Sequence, residues 1–107
     1  MNNEEYSIIW KNFIELLRNN VSQVTINSWF KDLKLYKIED SVLDNRQIKI
    51  IILETPSSFI KESLIKRYLD TIAEVMEKIL GILCKIEIKT TEELKNETEN
   101  KIDLPKF

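Results

Sequence analysis

The sequence lacks histidine and is poor in cysteine, glycine and proline. Its 107 residues include no histidine, one cysteine, one glycine and two prolines. A single cysteine excludes an intramolecular disulfide, and without histidine the usual ligand spacings of zinc sites are missing. With one glycine, the chain has neither a glycine-rich phosphate loop nor the Gly-x-x-Gly loop of strong KH-type RNA binders. The sequence therefore predicts no metal site, no cofactor and no catalytic residues.

The sequence also lacks a long apolar run and an excess of one charge. No run approaches the roughly 20 residues that span a bilayer, and the first residues are polar, unlike a signal peptide. The net charge is −2: residues 90 to 107 carry five acids against three lysines, and residues 1 to 89 carry 13 of each sign. Such a balance offers no broad basic face for nucleic acid. We expect a soluble cytoplasmic protein without membrane contact.

What the sequence does contain is a pattern of helices and strands. Apolar residues at helical spacing predict a first helix over residues 6 to 17 and a short second helix capped by Ser22. Branched residues at 33 to 38 and at 48 to 53 predict two strands. Because the segment between these strands is polar and turn-like, we expect a hairpin with a long connection.

The second half of the chain predicts one long helix and one strand. Pro56 ends the second strand, Ser57 or Ser58 caps the helix that follows, and Gly81 ends it. Residues 82 to 89 then alternate apolar and charged side chains, which is typical of a half-buried strand.

The predicted elements define one small domain. Their order is helix, helix, strand, strand, helix, strand, which predicts an α+β domain over residues 1 to 89 with its helices packed on a three-stranded sheet. Residues 90 to 107 contain few apolar side chains. We expect them to form a flexible acidic tail or the start of a linker.

Eight residues in this arrangement carry a family resemblance. They are Trp10, Ser22, Trp29, Pro56, Phe59, Arg67, Tyr68 and Gly81. In this order, and over residues 6 to 89, the chain resembles the N-terminal domain of the bacterial replication initiator DnaA. The resemblance implies a KH-like fold and a module without catalytic activity that recruits replication proteins to the origin. It implies replicative helicase or replication regulators as partners, weak self-association, and weak contact with single-stranded DNA.

The resemblance assigns a partner-binding role to three residues. Phe59 matches the phenylalanine that contacts helicase, and Thr25 with Trp29 matches the surface used by regulators. Helical geometry supports exposure of Phe59, which lies about 160 to 180° from the centre of the apolar stripe of the long helix. Trp29 falls on the buried side of the second helix, and Thr25 is expected to be exposed beside it.

A second candidate surface lies on the first helix. Trp10 matches the self-association tryptophan of the family and sits about 40° from the centre of the apolar arc of that helix, where a ring serves both core and interface. Ile8 lies on the opposite side of the helix. With Tyr6 these residues form a candidate patch for a weak homodimer, although single exposed aliphatic side chains are ordinary.

A third candidate is a basic strip near Tyr68. Lys61, Lys66 and Arg67 lie close to this ring and are candidates for contact with single-stranded nucleic acid. Basic residues on a solvated helix face are an equally simple interpretation.

The chain also departs from the family pattern. Trp29 and Pro56 lie 27 positions apart, which is longer than the resemblance implies and predicts an insertion in the hairpin. Ser57 stands where many members have asparagine. The sequence ends before the nucleotide-binding and duplex-binding domains of an initiator, so two alternatives stay open: a fragment, or a free-standing relative that competes for initiator partners.

Overall fold

The computed structural model describes residues 3–102, with side chains described through Thr98. The described residues form helices α1 (Asn3–Leu17), α2 (Gln23–Thr25), α3 (Ser58–Leu80) and α4 (Thr91–Ile102), and strands β1 (Lys34–Leu43), β2 (Arg46–Thr55) and β3 (Cys84–Thr90). α2 continues directly into a π-helical turn, Ile26–Phe30. The predicted α+β class and the order of the first six elements are confirmed, and α4 is an addition.

The three strands form one mixed sheet in the order β1-β2-β3. β1 and β2 are antiparallel, whereas β2 and β3 are parallel. A parallel pair requires a crossover connection, and α3 provides it. α3 contacts β2 and β3, and α1 contacts β1 and α3, so α1 and α3 lie together over the sheet.

The core lies between these helices and the sheet. Ile51 and Leu53 of β2 are register partners of Ile86 and Ile88 of β3, so their side chains share one face. The helices contribute the apolar residues of their buried stripes, as helical periodicity predicts. The largest fully buried side chains of the described residues include Phe13, Leu17, Phe30, Leu33, Leu64, Ile72 and Met76.

The hairpin differs from the sequence prediction. β1 and β2 are joined by a two-residue turn, Asp44 and Asn45, whose φ angles of 52° and 65° are those of a type I′ turn. The prediction of a long connection is wrong, because residues 39 to 43 and 46 to 47 belong to the two strands, each of which has ten residues. Polar residues are tolerated there because β1 is an edge strand, and Asp40 accepts a hydrogen bond from its cross-strand partner Lys49 at 2.5 Å.

The predicted ends of α3 are confirmed. Ser57 is its N-cap, and the side-chain oxygen of Ser57 accepts a hydrogen bond from the backbone N–H of Ile60 at 3.2 Å. Gly81 ends the helix with φ +70°, in the left-handed region where glycine is unstrained. α3 therefore has fixed termini, and the orientation of its first turn is defined.

The segment after β3 is helical where a flexible tail was expected. Thr90 and Glu93 exchange two hydrogen bonds, from the Glu93 N–H to the Thr90 hydroxyl and from the Thr90 N–H to the Glu93 carboxylate. This is a capping box, which starts a helix, and Leu94 is buried one residue later. The sequence contains this Thr-x-x-Glu spacing, which the prediction of a flexible tail overlooked. Residues 103 to 107 of the predicted tail lie outside the described residues.

Candidate partner-binding surface

The first turn of α3 presents an exposed aromatic ring. The side chain of Phe59 is 69% exposed, which confirms the exposure predicted from its position opposite the apolar stripe. Phe59 is the second residue after the N-cap Ser57. Its backbone is therefore held in place by the capped first turn of the helix. The ring is therefore displayed on a rigid element rather than on a loop.

Trp29 packs beside Phe59. The two ring centroids are 6.0 Å apart and the ring planes are inclined by 40°, a separation at which aromatic pairs attract each other. Trp29 is half-buried, so it is neither a full core residue nor a free surface residue. Phe59 and Trp29 together form an aromatic surface, at which α3 contacts the π-helical turn.

The π-helical turn explains why Trp29 departs from the predicted burial. A π-helical turn contains one residue more per hydrogen-bonded ring than an α-helix, which changes the direction of the side chains that follow. Ile26 and Phe30 are buried in the core, and Trp29 is left at the margin. Regular α-helical periodicity does not anticipate this change of phase.

Thr25 has a different role from the one expected. It is half-buried, and its backbone N–H donates to the Ser22 hydroxyl at 3.1 Å. The Ser22 hydroxyl in turn donates to the Thr25 hydroxyl at 3.1 Å. The predicted cap at Ser22 is confirmed. Thr25 is half-buried where the sequence predicted exposure, and its backbone N–H and its hydroxyl are both hydrogen-bonded to Ser22.

Val24 is an exposed apolar residue that the sequence interpretation overlooked. Its side chain is 73% exposed on α2. The signal was available, because Val24 lies about 160° from Ile26 around a helix and so falls outside the buried stripe.

The three candidate self-association residues differ in their surroundings. Ile8 is 61% exposed on α1, as predicted. Trp10 is half-buried and stacks on Phe13 with centroids 4.7 Å apart, which agrees with the partial burial predicted for it. Tyr6 is half-buried, and its hydroxyl accepts a hydrogen bond from the backbone N–H of Ile38 at 2.9 Å. Tyr6 therefore fastens α1 to the edge strand β1, and a shallow groove of about 430 Å³ runs beside Tyr6 and Trp10.

The three candidate basic residues do not form one strip. Lys61 is partly buried and donates to both carboxylate oxygens of Glu93 at 2.8 and 2.9 Å. Lys66 and Arg67 are exposed. At roughly 100° per residue, Lys66 lies on the face of Phe59, whereas Lys61 points to the other side of α3. The structure therefore leaves two separate exposed cations, and Lys61 is engaged with a carboxylate.

The described titratable groups include one thiol with a shifted pKa. Burial, and then the nearby Glu77 carboxylate, raise the pKa of the Cys84 thiol to about 11, so this thiol is neutral and a poor nucleophile at ordinary pH. Within residues 3–98 no cluster of acidic or cysteine side chains could hold a metal ion. None of the helices in the described part of the chain is long and apolar enough to cross a membrane.

Comparison with known proteins gives a consistent result. The family model described as the DnaA N-terminal domain matches residues 7–78. The chromosomal replication initiator protein DnaA of Geotalea daltonii is 29% identical over 96 residues, which make up 90% of this chain and 20% of that protein. The DnaA of Bacteroides thetaiotaomicron is 28% identical over 74 residues, or 69% of this chain and 14% of that protein. The chain thus spans a fifth or less of the length of these relatives.

Proposed function

Because this chain belongs to the DnaA N-terminal domain family, we propose that it is a non-catalytic protein-interaction module of DNA replication initiation. Its partner is the replicative helicase or a replication regulator, docked on Phe59 and Trp29. Thr25 contributes by holding the helix that carries Trp29. The module tethers its partner and performs no chemistry of its own.

The exposed Phe59 ring is the observation that carries this proposal. Large aromatic side chains are normally buried, and a phenylalanine exposed to 69% gains free energy when a partner covers it. The ring is already ordered by the Ser57 cap and by contact with Trp29. Little conformational entropy is therefore lost on docking, which is the property of an interface anchor.

An NMR titration of the labelled chain with replicative helicase tests the proposal. We expect amide shifts centred on residues 57 to 61 and on Trp29. Phe59→Ala is expected to weaken binding by about 30-fold or more, as removal of a binding hot spot does. Leu83→Ala is the matched control, because Leu83 is 45% exposed and follows the opposite end of the 23-residue α3.

Two results would contradict the proposal. If the Phe59→Ala variant keeps its fold and binds helicase as tightly as the parent chain, the aromatic surface is not the docking site. If neither helicase nor a regulator causes shifts near Phe59, the assigned partner class is wrong. Loss of binding in Leu83→Ala as well would indicate a general effect on folding.

Self-association through α1 is a second function favoured by a specific observation. Ile8 is 61% exposed on α1, and Trp10 is half-buried on another side of the same helix, about 200° around its axis. Two copies that cover Ile8 and the exposed part of Trp10 would form a weak homodimer. Ile8→Glu is expected to abolish any concentration-dependent dimer in sedimentation equilibrium, whereas Tyr6→Phe is expected to affect stability instead, because the Tyr6 hydroxyl binds β1.

Weak binding of single-stranded DNA is an alternative function for α3. Lys66 and Arg67 are the exposed cations that would contact phosphates, because Lys61 is paired with Glu93. Phosphate-dominated binding weakens steeply as salt rises, whereas an aromatic anchor on a protein partner changes little. A titration with a short oligonucleotide at two salt concentrations therefore distinguishes this alternative from the docking function.

Competition with a full-length initiator is the remaining alternative. A chain that binds the same partners without the other initiator domains would occupy them unproductively. Added to a mixture of initiator and helicase, such a chain would reduce helicase recruitment, and Phe59→Ala would remove that inhibition.

A further inference from the structure

α4 follows β3 without a connecting residue and begins at the capping box of Thr90 and Glu93. Its sequence is polar, and Leu94 is the buried apolar side chain among its described residues, Thr91 to Thr98. A helix of 12 residues is marginal in water unless an apolar face packs on the protein. One leucine is a small apolar face, so other contacts must contribute to holding α4 in place.

Two ion pairs supply those contacts. The Lys61 ammonium of α3 lies 2.8 Å from the Glu93 carboxylate, and the Lys89 ammonium of β3 lies 2.5 Å from the Glu97 carboxylate. The lysine side chains are 23% and 28% exposed, and the two glutamates are 47% and 53% exposed. Because the carboxylates remain in contact with solvent, dissolved salt can screen both pairs.

Grooves border α4 on two sides. An open groove of about 560 Å³ is lined by residues of α4, α3 and β3, and its apolar walls include Ile65 and Ile86. A smaller groove of about 120 Å³ lies between Leu94 and Ile52 of β2. Both grooves are open to solvent, so among the described residues Leu94 provides the buried apolar contact of α4.

We propose that α4 is an electrostatic latch: it detaches from the sheet and unfolds locally while α1, α3 and the sheet stay folded, and ionic strength controls the equilibrium. Detachment breaks both ion pairs and exposes Ile52 together with the groove walls. It also frees Lys61 and Lys89, which then flank an uncovered apolar surface. Elements with few buried apolar contacts open at a lower free energy than the core does.

Amide hydrogen exchange of the full chain, followed by NMR, tests the latch. We expect amides of residues 95 to 98 to exchange at least about tenfold faster than those of Ile51 and Leu53 in β2. Raising NaCl from about 0.1 M to about 1 M shortens the screening length from about 10 Å to about 3 Å. This change is expected to speed exchange in α4 on the order of threefold or more and to leave β2 unchanged.

Glu93→Gln separates the ion pair from the cap. Glutamine at this position retains the capping-box geometry but not the charge that holds Lys61. We expect this variant to show faster exchange in α4 at low salt and a weaker response to added salt. Glu92→Gln is the matched control, because it removes the same charge from an exposed position with no ion pair to Lys61 or Lys89.

Three results of the exchange experiment would contradict the latch. If α4 exchanges as slowly as β2 and ignores salt, it is part of the cooperative core and the latch is wrong. If α4 is unprotected at every salt concentration, it does not close and the latch is equally wrong. If Glu92→Gln acts like Glu93→Gln, overall charge and not the Lys61 pair controls the helix.

Discussion

At the scale of single residues, two buried threonines differ in whether their hydroxyl groups are hydrogen-bonded. Thr55 and Thr90 are register partners at the ends of β2 and β3. The Thr55 hydroxyl has no hydrogen-bond partner among the described residues, although the residue is only 1% exposed. The Thr90 hydroxyl accepts the N–H of Glu93. Thr55→Val is therefore expected to raise the free energy of unfolding by about 1 kcal/mol, measured by urea denaturation.

Thr90→Val is the matched comparison. It removes a hydroxyl that caps α4, so the free energy of unfolding is expected to fall by up to about 1 kcal/mol. Both changes keep a β-branched side chain in a strand, which holds strand propensity constant. A loss of stability in Thr55→Val would show that its hydroxyl has a partner in solution.

Phe59 and Phe13 are one residue type in two environments. Phe59 is 69% exposed and Phe13 is fully buried. We expect Phe59→Ala to change the free energy of unfolding by less than about 1 kcal/mol, because little of the apolar area of this ring is buried in the folded protein. Phe13→Ala is expected to cost about 3 to 5 kcal/mol, as large-to-small core changes do. Thermal unfolding followed by circular dichroism measures both, and a large loss in Phe59→Ala would identify Phe59 as a core residue.

At the scale of elements, the hairpin turn gives a prediction about backbone conformation. Asn45 has φ 65°, in the left-handed region that glycine and asparagine adopt and that β-branched residues avoid. Asn45→Gly is expected to be neutral or slightly stabilising, since Asp-Gly is a preferred type I′ sequence. Asn45→Val is expected to destabilise the protein by about 1 to 2 kcal/mol. Urea denaturation of the two variants checks this, and equal stability would exclude a type I′ turn in solution.

The elements that the sequence predicted well are those with a strong local signal. Ser57 and Gly81 mark the ends of α3 because capping is a contact between neighbours in the chain. The missed elements also depend on contacts between residues farther apart in the chain. Asp40 lies in a strand because Lys49 is its cross-strand partner, and α4 docks partly because Lys61 meets Glu93 from 32 residues away. Composition alone does not encode such pairs.

In the candidate site, too, the features set by local periodicity were predicted and those set by tertiary contacts were not. Exposure of Phe59 followed from the phase of a long regular helix. The margin position of Trp29 did not, because the π-helical turn changes that phase. The ion pair between Lys61 and Glu93 was likewise not predicted, since Glu93 was expected to lie in a flexible tail. Local periodicity therefore predicts which side chains are exposed, and tertiary contacts decide which exposed side chains are free to bind.

At the scale of the whole molecule, the absence of histidine shapes the response to pH. No side chain has an ordinary pKa between about 5 and 8. The hydrogen bond and charge of Lys49 lower the pKa of Asp40 below its ordinary 3.8. Hydrogen bonds from Lys61 and from the Thr90 N–H lower the pKa of Glu93 below its ordinary 4.5. On the alkaline side, the hydrogen bond to Glu97 raises the pKa of Lys89 above its ordinary 10.5.

These shifts predict a plateau of stability with losses at both ends. The two carboxylates have lower pKa values in the folded state, so they stabilise it fully above about pH 4.5 and lose that effect as the pH falls through their folded pKa values. Lys89 has a raised pKa, so its effect is complete below about pH 10.5 and disappears above it. Urea unfolding followed by tryptophan fluorescence should therefore give a constant free energy between about pH 6 and pH 8. Asp40→Asn should flatten the acid limb, and a maximum or minimum inside the plateau would contradict these assignments.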